Sequence, residues 1–88
     1  MLRISEGSLS SQAAALRLEG RVIGPWVLEA RRSCEKFLAH GRRLTLDLAE
    51  VSFVDRDGIA LLRELQGRQV TFVNCSPFLT EQLKEDAL

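Results

Sequence analysis

Residues Leu44–Leu62, LTLDLAEVSFVDRDGIALL, join a strand-like pattern to a helix-like pattern through a short charged turn. In the first part, leucines alternate with polar residues, which is the two-residue period of a half-buried strand. From Ile59 onwards the apolar residues take a helical spacing, and Asp55 or Asp57 is placed to cap the first helical turn. We therefore predict a strand, a turn at Asp55–Gly58 and a helix.

The segments on either side of this stretch predict further strands and helices. Pro25 suits the first turn of a helix, because the amide proton that it lacks has no partner there. Gly41 suits the left-handed end of the same helix. The alternation favours an α/β fold, with a small, mixed, mostly parallel sheet of about four to five strands and helices packed on it. We expect strands at Leu2–Ile4, Ala14–Glu19 and Val70–Asn74, a turn or loop at Gly7–Ser11, a helix from Pro25 to His40, a last helix from Pro77 to about Glu85, and fraying over Lys84–Leu88.

Length and charge limit what the chain can be. Its 88 residues, 45% of them apolar, predict one domain over residues 1–88 that buries roughly 60% of its unfolded surface. Lys plus Arg equals Asp plus Glu at 12 each, so no bulk field attracts nucleic acid or an anionic membrane. Because the first residues contain no long apolar run, we expect no signal peptide, no spanning helix and a cytoplasmic protein. Cys34 and Cys75 lack Cys-x-x-Cys spacing and are expected to be buried free thiols.

The strand, turn and helix resemble the STAS domain, the fold of bacterial anti-sigma factor antagonists and of several transporter regulatory subunits. The family pattern is an apolar strand with an aspartate, as at Asp47, then a short link like Ala49–Phe53. It continues with Asp-Ser-Ser-Gly or a variant that opens an apolar helix, and Asp55 and Gly58 match this turn. With the segments that follow, the resemblance covers nearly the whole chain, and the turn is its specific part.

Two positions of the turn depart from the family pattern. Arg56 replaces the first serine, and Asp57 occupies the position of the serine or threonine that partner kinases phosphorylate. Neither residue has a hydroxyl, so we expect no phosphate transfer to the turn. Further along, Val70–Asn74 resembles the last core strand of the family and Ser76-Pro77 the dipeptide that follows it, whereas the helix at Gly58–Gln66 is shorter than usual.

The resemblance implies a non-enzymatic protein–protein interaction module that docks Asp55, Arg56, Asp57 and Gly58 onto a partner. The implied partner is an anti-sigma factor with kinase character, so the domain would indirectly release a sigma factor and regulate transcription. With Asp57 at the acceptor position, phosphorylation switching is expected to be altered or lost. An alternative is a cytoplasmic STAS subunit that regulates a lipid-transporting ABC complex. We expect no cofactor, no metal, no catalytic residue and no nucleic-acid partner, and the oligomeric state stays open. Asp47 and Ser52 are expected to support the Asp55–Gly58 turn.

Two other motifs overlap the same turn. Phe53–Gly58 resembles the nucleophile motif of haloacid dehalogenase-type phosphatases, in which Asp55 would attack phosphorus and Asp57 would act as general acid and base. That motif continues with threonine or serine, where Ile59 stands here, and its downstream lysine has one candidate, Lys84. A phosphatase is therefore the less favoured class.

An EF-hand calcium loop is the other overlapping motif. Its ligand positions coincide with Asp55, Asp57 and Glu64, but its first ligand would be Phe53, which offers no oxygen.

In the simplest interpretation of the turn, the aspartates only cap a helix and Gly58 only allows close packing, with no function beyond folding.

The remaining predictions concern the core and the surface. Four arginines, Arg31, Arg32, Arg42 and Arg43, flank the first helix and form either a solvated face or a basic patch for an acidic partner. We expect the core to contain Leu46, Leu48, Phe53, Ile59, Leu62 and Val73.

Overall fold

Strands and helices alternate along the chain in a computed structural model that describes residues 2–84. The predicted end of the last helix at Glu85, and the frayed end after it, lie outside the described residues. Within the described part, no helix has both the length and the apolar character needed to cross a membrane. The strands are β1 (Leu2–Leu9), β2 (Ala13–Val22), β3 (Arg43–Val54) and β4 (Thr71–Val73), and the helices are α1 (Pro25–Leu38), α2 (Arg56–Gly67) and α3 (Pro77–Lys84).

The four strands form one sheet in the order β1-β2-β3-β4. β1 is antiparallel to β2, whereas β2 with β3 and β3 with β4 are parallel, so the predicted mixed, mostly parallel α/β fold is confirmed. Because the strand order follows the chain and such crossovers are right-handed, α1 and α2 lie on the same face of the sheet. These two helices leave the other face of the sheet uncovered.

One apolar core lies between the helices and the covered face of the sheet. Leu46, Leu48, Ile59 and Leu62 belong to it, as the sequence predicts. Cys34 is a buried free thiol and Cys75 a half-buried one, so neither forms a disulfide. From the helices, the core takes Ala30, Cys34, Phe37, Ile59, Leu61, Leu62, Leu65, Leu79 and Leu83.

Two extra residues interrupt the pairing of β3 with β2. Arg17 aligns with Asp47, but Glu19 already aligns with Glu50, and a second shift follows Val51. Each extra residue is a β-bulge, which reverses the face to which the following side chains point. The link that the family pattern suggests at Ala49–Phe53 is therefore wrong, since this segment is part of a continuous strand.

The prediction that Phe53 and Val73 lie in the core is wrong. Phe53 aligns with Arg21 on the sheet face opposite the core, and 55% of it is exposed. Val73 aligns with Asp47 on that same face and is 37% exposed. Their inward-facing neighbours are Val54, which is buried, and Phe72, which packs against the core.

β1 is longer than the predicted strand Leu2–Ile4. It continues to Leu9 because antiparallel pairing with β2 persists across an irregularity between Glu6 and Leu9. The prediction of a loop at Gly7–Ser11 is therefore wrong for Gly7–Leu9, which belong to β1. The actual turn begins at Ser10, whose hydroxyl oxygen accepts a hydrogen bond from the Ala13 amide at 3.0 Å.

Candidate functional site

Asp55 is the N-cap of α2, and both of its carboxylate oxygens are occupied. Oδ1 accepts a hydrogen bond from the Gly58 amide at 2.8 Å, and Oδ2 accepts one from the Gly24 amide at 3.0 Å. Gly24 precedes α1, so a single carboxylate connects the loops that follow β2 and β3. Of the two aspartates that could cap the helix, Asp55 does so.

Gly58 lies too close to the sheet for any side chain. A Cβ atom there would lie 2.5 Å from the carbonyl oxygen of Val22 and 2.5 Å from Cγ1 of Val54. The first turn of α2 can therefore pack directly on the ends of β2 and β3. Gly24, with φ of 52° and ψ of −131°, adopts a conformation that is essentially restricted to glycine, which lets its amide point at Asp55.

The backbone amides at this site lower the pKa of Asp55, with the Gly24 amide as the larger cause and the Gly58 amide as the next. Hydrogen bonds to the ionised form favour that form. A carboxyl whose folded pKa lies below its unfolded value of about 3.9 contributes stability that is present above that value. This stability is lost as the pH falls through the folded pKa.

We expect Asp55→Asn to reduce the dependence of stability on pH below about pH 4, because an amide side chain has no carboxyl group to protonate, although its single oxygen can accept only one of the two hydrogen bonds. Urea unfolding midpoints measured from neutral to acidic pH test this. Asp57→Asn is the matched control, since it removes a charge from the same turn but no hydrogen bond from another described residue, and its pH profile should change less than that of Asp55→Asn. An unchanged pH profile in Asp55→Asn would refute the capping role.

Arg56 and Asp57 are exposed on the first turn of α2. Neither side chain forms an ion pair or hydrogen bond with another residue in the range 2–84. The negative charge of Asp57 lies near the N-terminus of the helix, where the helix dipole favours it. The turn therefore combines a backbone fixed by Asp55 with two charged side chains that are available to a partner.

Two exposed aromatic rings lie near the end of β3. Phe53 is 55% exposed and Phe78, near the start of α3, is 71% exposed, and both line one narrow cleft between β3 and α3. Phe53 also borders a wider open groove, which we call the turn groove. Its lining residues are Phe53–Arg56, Ile59, Ala60, Arg63 and Gln82.

Neither phenylalanine was predicted to be a surface residue, and Phe53 was expected in the core. The register of β3 that exposes Phe53 depends on two bulges, which no local pattern announces. The exposure of Phe78 could have been predicted from the sequence. It follows Ser76-Pro77 at a helix start, and it is out of phase with Leu79 and Leu83, which form the buried face of α3. Exposed aromatic residues of this kind are typical of protein interfaces.

The structure does not place the supporting residues Asp47 and Ser52 at the turn itself. Asp47 accepts hydrogen bonds from the Ala49 amide and from Asn74 Nδ2, which lower its pKa in that order. It lies within β3, eight positions before Asp55. Ser52 donates its hydroxyl proton to the Gly20 carbonyl at 3.1 Å. Each residue stabilises a bulge of β3 rather than the turn.

The geometry fits neither overlapping motif well. A dehalogenase nucleophile needs a carboxylate oxygen that is free to attack phosphorus. Both oxygens of Asp55 instead accept hydrogen bonds from backbone amides. An EF-hand loop would extend to Glu64, but the helix begins at Arg56 and Glu64 pairs with Arg31 on α1. Among residues 2–84 no three His, Cys, Asp or Glu side chains gather to hold a metal ion.

Comparison with known proteins gives no family for this chain. No model of a protein family matches it, and no curated protein matches it either. The resemblance to the STAS domain thus rests on the residues of the turn and on the order of strands and helices.

Proposed function

We propose that this chain is a non-enzymatic, STAS-like interaction module of the bacterial cytoplasm that docks onto a protein partner through the Asp55–Gly58 turn. One observation carries the proposal: the turn backbone is held by Asp55, while Arg56, Asp57 and the neighbouring Phe53 project into solvent. A preorganised backbone with exposed charged and aromatic side chains lowers the ordering cost of binding. It suits recognition better than chemistry at Asp55.

The partner that the resemblance implies is an anti-sigma factor with kinase character. In that interaction the partner would distinguish the phosphorylated from the unphosphorylated residue at position 57. In this chain that residue is Asp57, which carries a carboxylate instead of a hydroxyl. Asp57 carries one negative charge, whereas a phosphoserine carries nearly two and offers more acceptor oxygens. We therefore propose that Asp57 holds the module in a weakened binding state that resembles the phosphorylated form.

Affinity purification of the native chain, followed by mass spectrometry, tests the class of partner. A GHKL-type kinase supports the anti-sigma factor reading, and an ABC ATPase supports the alternative of a transporter regulatory subunit. A magnesium-dependent phosphatase assay on the same preparation should give no turnover. Turnover that disappears in Asp55→Asn would instead establish the enzyme class.

We expect Asp57→Ser to bind the co-purified kinase about tenfold more tightly, a change of about 1.4 kcal/mol. The serine removes the repelling charge but keeps an oxygen at the helix start, so stability should change by at most about 1 kcal/mol. Calorimetric titration measures the affinity, and Asp57→Asn, which removes the charge and keeps the shape, should behave similarly. Equal affinities in all three proteins would mean that the partner does not read position 57.

We also expect Phe53→Ser to weaken partner binding about tenfold or more, because an aromatic ring beside the turn is a typical anchor of an interface. Its exposed ring contributes little to the core, so the urea midpoint should stay close to wild type. Val73→Ser is the matched control, since Val73 is exposed on the same sheet face but lines neither the turn groove nor the adjoining cleft. A Phe53→Ser variant with unchanged affinity would place the interface elsewhere.

A further inference from the structure

A cluster of arginines lies at the edge of the sheet opposite the turn. Arg42 and Arg43 stand where β3 begins, and Arg68 immediately follows α2. Both loops return from a helix to the start of a parallel strand, so the topology brings them to the same edge. Together they form a surface that we call the basic groove, which is lined by Leu38, Gly41–Leu44, Arg68 and Gln69.

The basic groove has more positive than negative charge. Arg68 pairs with Glu35, whose carboxylate lies 2.5 Å away. Arg42 stacks on the Phe37 ring, with its guanidinium carbon 5.6 Å from the ring centroid. Neither Arg42 nor Arg43 has a carboxylate partner among residues 2–84.

The other two arginines of the predicted basic patch behave differently. Arg31 pairs with Glu64 and Arg32 pairs with Glu29, so their charges are compensated within the helical layer. The four arginines therefore do not form one patch. Arg42 and Arg43 instead join Arg68, which is distant in the sequence, in a groove where only Arg68 of the three forms an ion pair with a described residue.

We propose that the basic groove binds a phosphate group. A guanidinium group presents a planar fork of donors that matches phosphate oxygens, and a phosphate has enough charge and acceptors for more than one fork. Glu35 occupies Arg68 only in part, since its carboxylate accepts one hydrogen bond, from Arg68 Nη1. The phosphate belongs either to a small molecule or to a phosphorylated side chain. This site is independent of the proposed docking at the turn.

Amide NMR titration of the full chain tests the proposal, with inorganic pyrophosphate as the probe at a constant ionic strength of about 0.15 M. We expect saturable shifts at Gly41–Leu44 and at Arg68–Val70. Arg43→Gln, which removes an exposed unpaired charge, should weaken binding about tenfold. Arg32→Gln removes the same charge outside the groove and should change the affinity by less than about twofold.

A second arm identifies the source of the phosphate. A short peptide with one phosphoserine is titrated beside its unphosphorylated form, and the affinity for pyrophosphate is compared with that for the phosphopeptide. If binding depends on Arg43, the proposal is supported. The ligand that binds more tightly, pyrophosphate or the phosphopeptide, then shows whether the phosphate belongs to a small molecule or to a phosphorylated side chain. Shifts that do not saturate with either ligand, or that are equally weakened in Arg32→Gln, would overturn it. Urea unfolding of Arg43→Gln confirms that the variant is folded.

Discussion

Leu62→Ala should lose about 2 to 5 kcal/mol of the free energy of unfolding. Leu62 is fully buried on α2, in the cluster that joins the helices to β2 and β3. Removing its side chain leaves a cavity, and a domain of this size has only about 5 to 10 kcal/mol in total. Urea unfolding, followed by the fluorescence of Trp26, the single tryptophan, measures the loss.

Phe53→Ala provides the control for this prediction. It removes a larger apolar side chain from the neighbouring strand, but 55% of Phe53 is exposed, so the loss should be clearly smaller than for Leu62→Ala. A loss as large as that of Leu62→Ala would mean that Phe53 lies in the core and that the register of β3 described above is incorrect.

Gly58→Ala should lose about 1 to 3 kcal/mol or more, although alanine normally favours a helix. The new Cβ would lie 2.5 Å from a backbone oxygen of β2, which cannot rotate away as a flexible side chain can. The helix must therefore shift away from the sheet and weaken the hydrogen bond between Asp55 and the Gly58 amide. Thermal or urea unfolding measures the effect.

Gly67→Ala is the matched control on the same helix. A Cβ atom at Gly67 meets nothing within 4 Å, so this substitution should be neutral or stabilising by up to about 1 kcal/mol. If Gly58→Ala were as well tolerated as Gly67→Ala, the close approach of α2 to the sheet would be contradicted.

Local patterns were sufficient to predict most of the fold. Alternating leucines in β3, Pro25 at the start of α1 and the helical spacing after Gly58 each reflect a short-range preference, so the order of elements could be inferred from sequence. What could not be inferred is the register. The bulges of β3 depend on how it pairs with β2, and they turn Val51 inward and Phe53 outward.

The candidate site was predictable only in part, for a related reason. The position of the turn was predicted from its residues. The sequence left both Asp55 and Asp57 as possible caps, and the geometry of the first turn of α2 identifies Asp55. The second bond of Asp55, to the Gly24 amide, joins segments that are distant along the chain. Likewise, the meeting of Arg68 with Arg42 and Arg43 depends on the topology of two crossovers.

Hydrogen exchange of the chain, alone and with its co-purified partner, tests the docking surface most directly. We expect the partner to slow exchange of the amides in Asp55–Arg63 and in Ser76–Gln82, which border the turn groove and the adjoining cleft. The amides of Gly41–Leu44, at the opposite edge, should exchange as they do in the free chain. Protection at that opposite edge, with no change at Asp55–Arg63, would contradict docking through the turn.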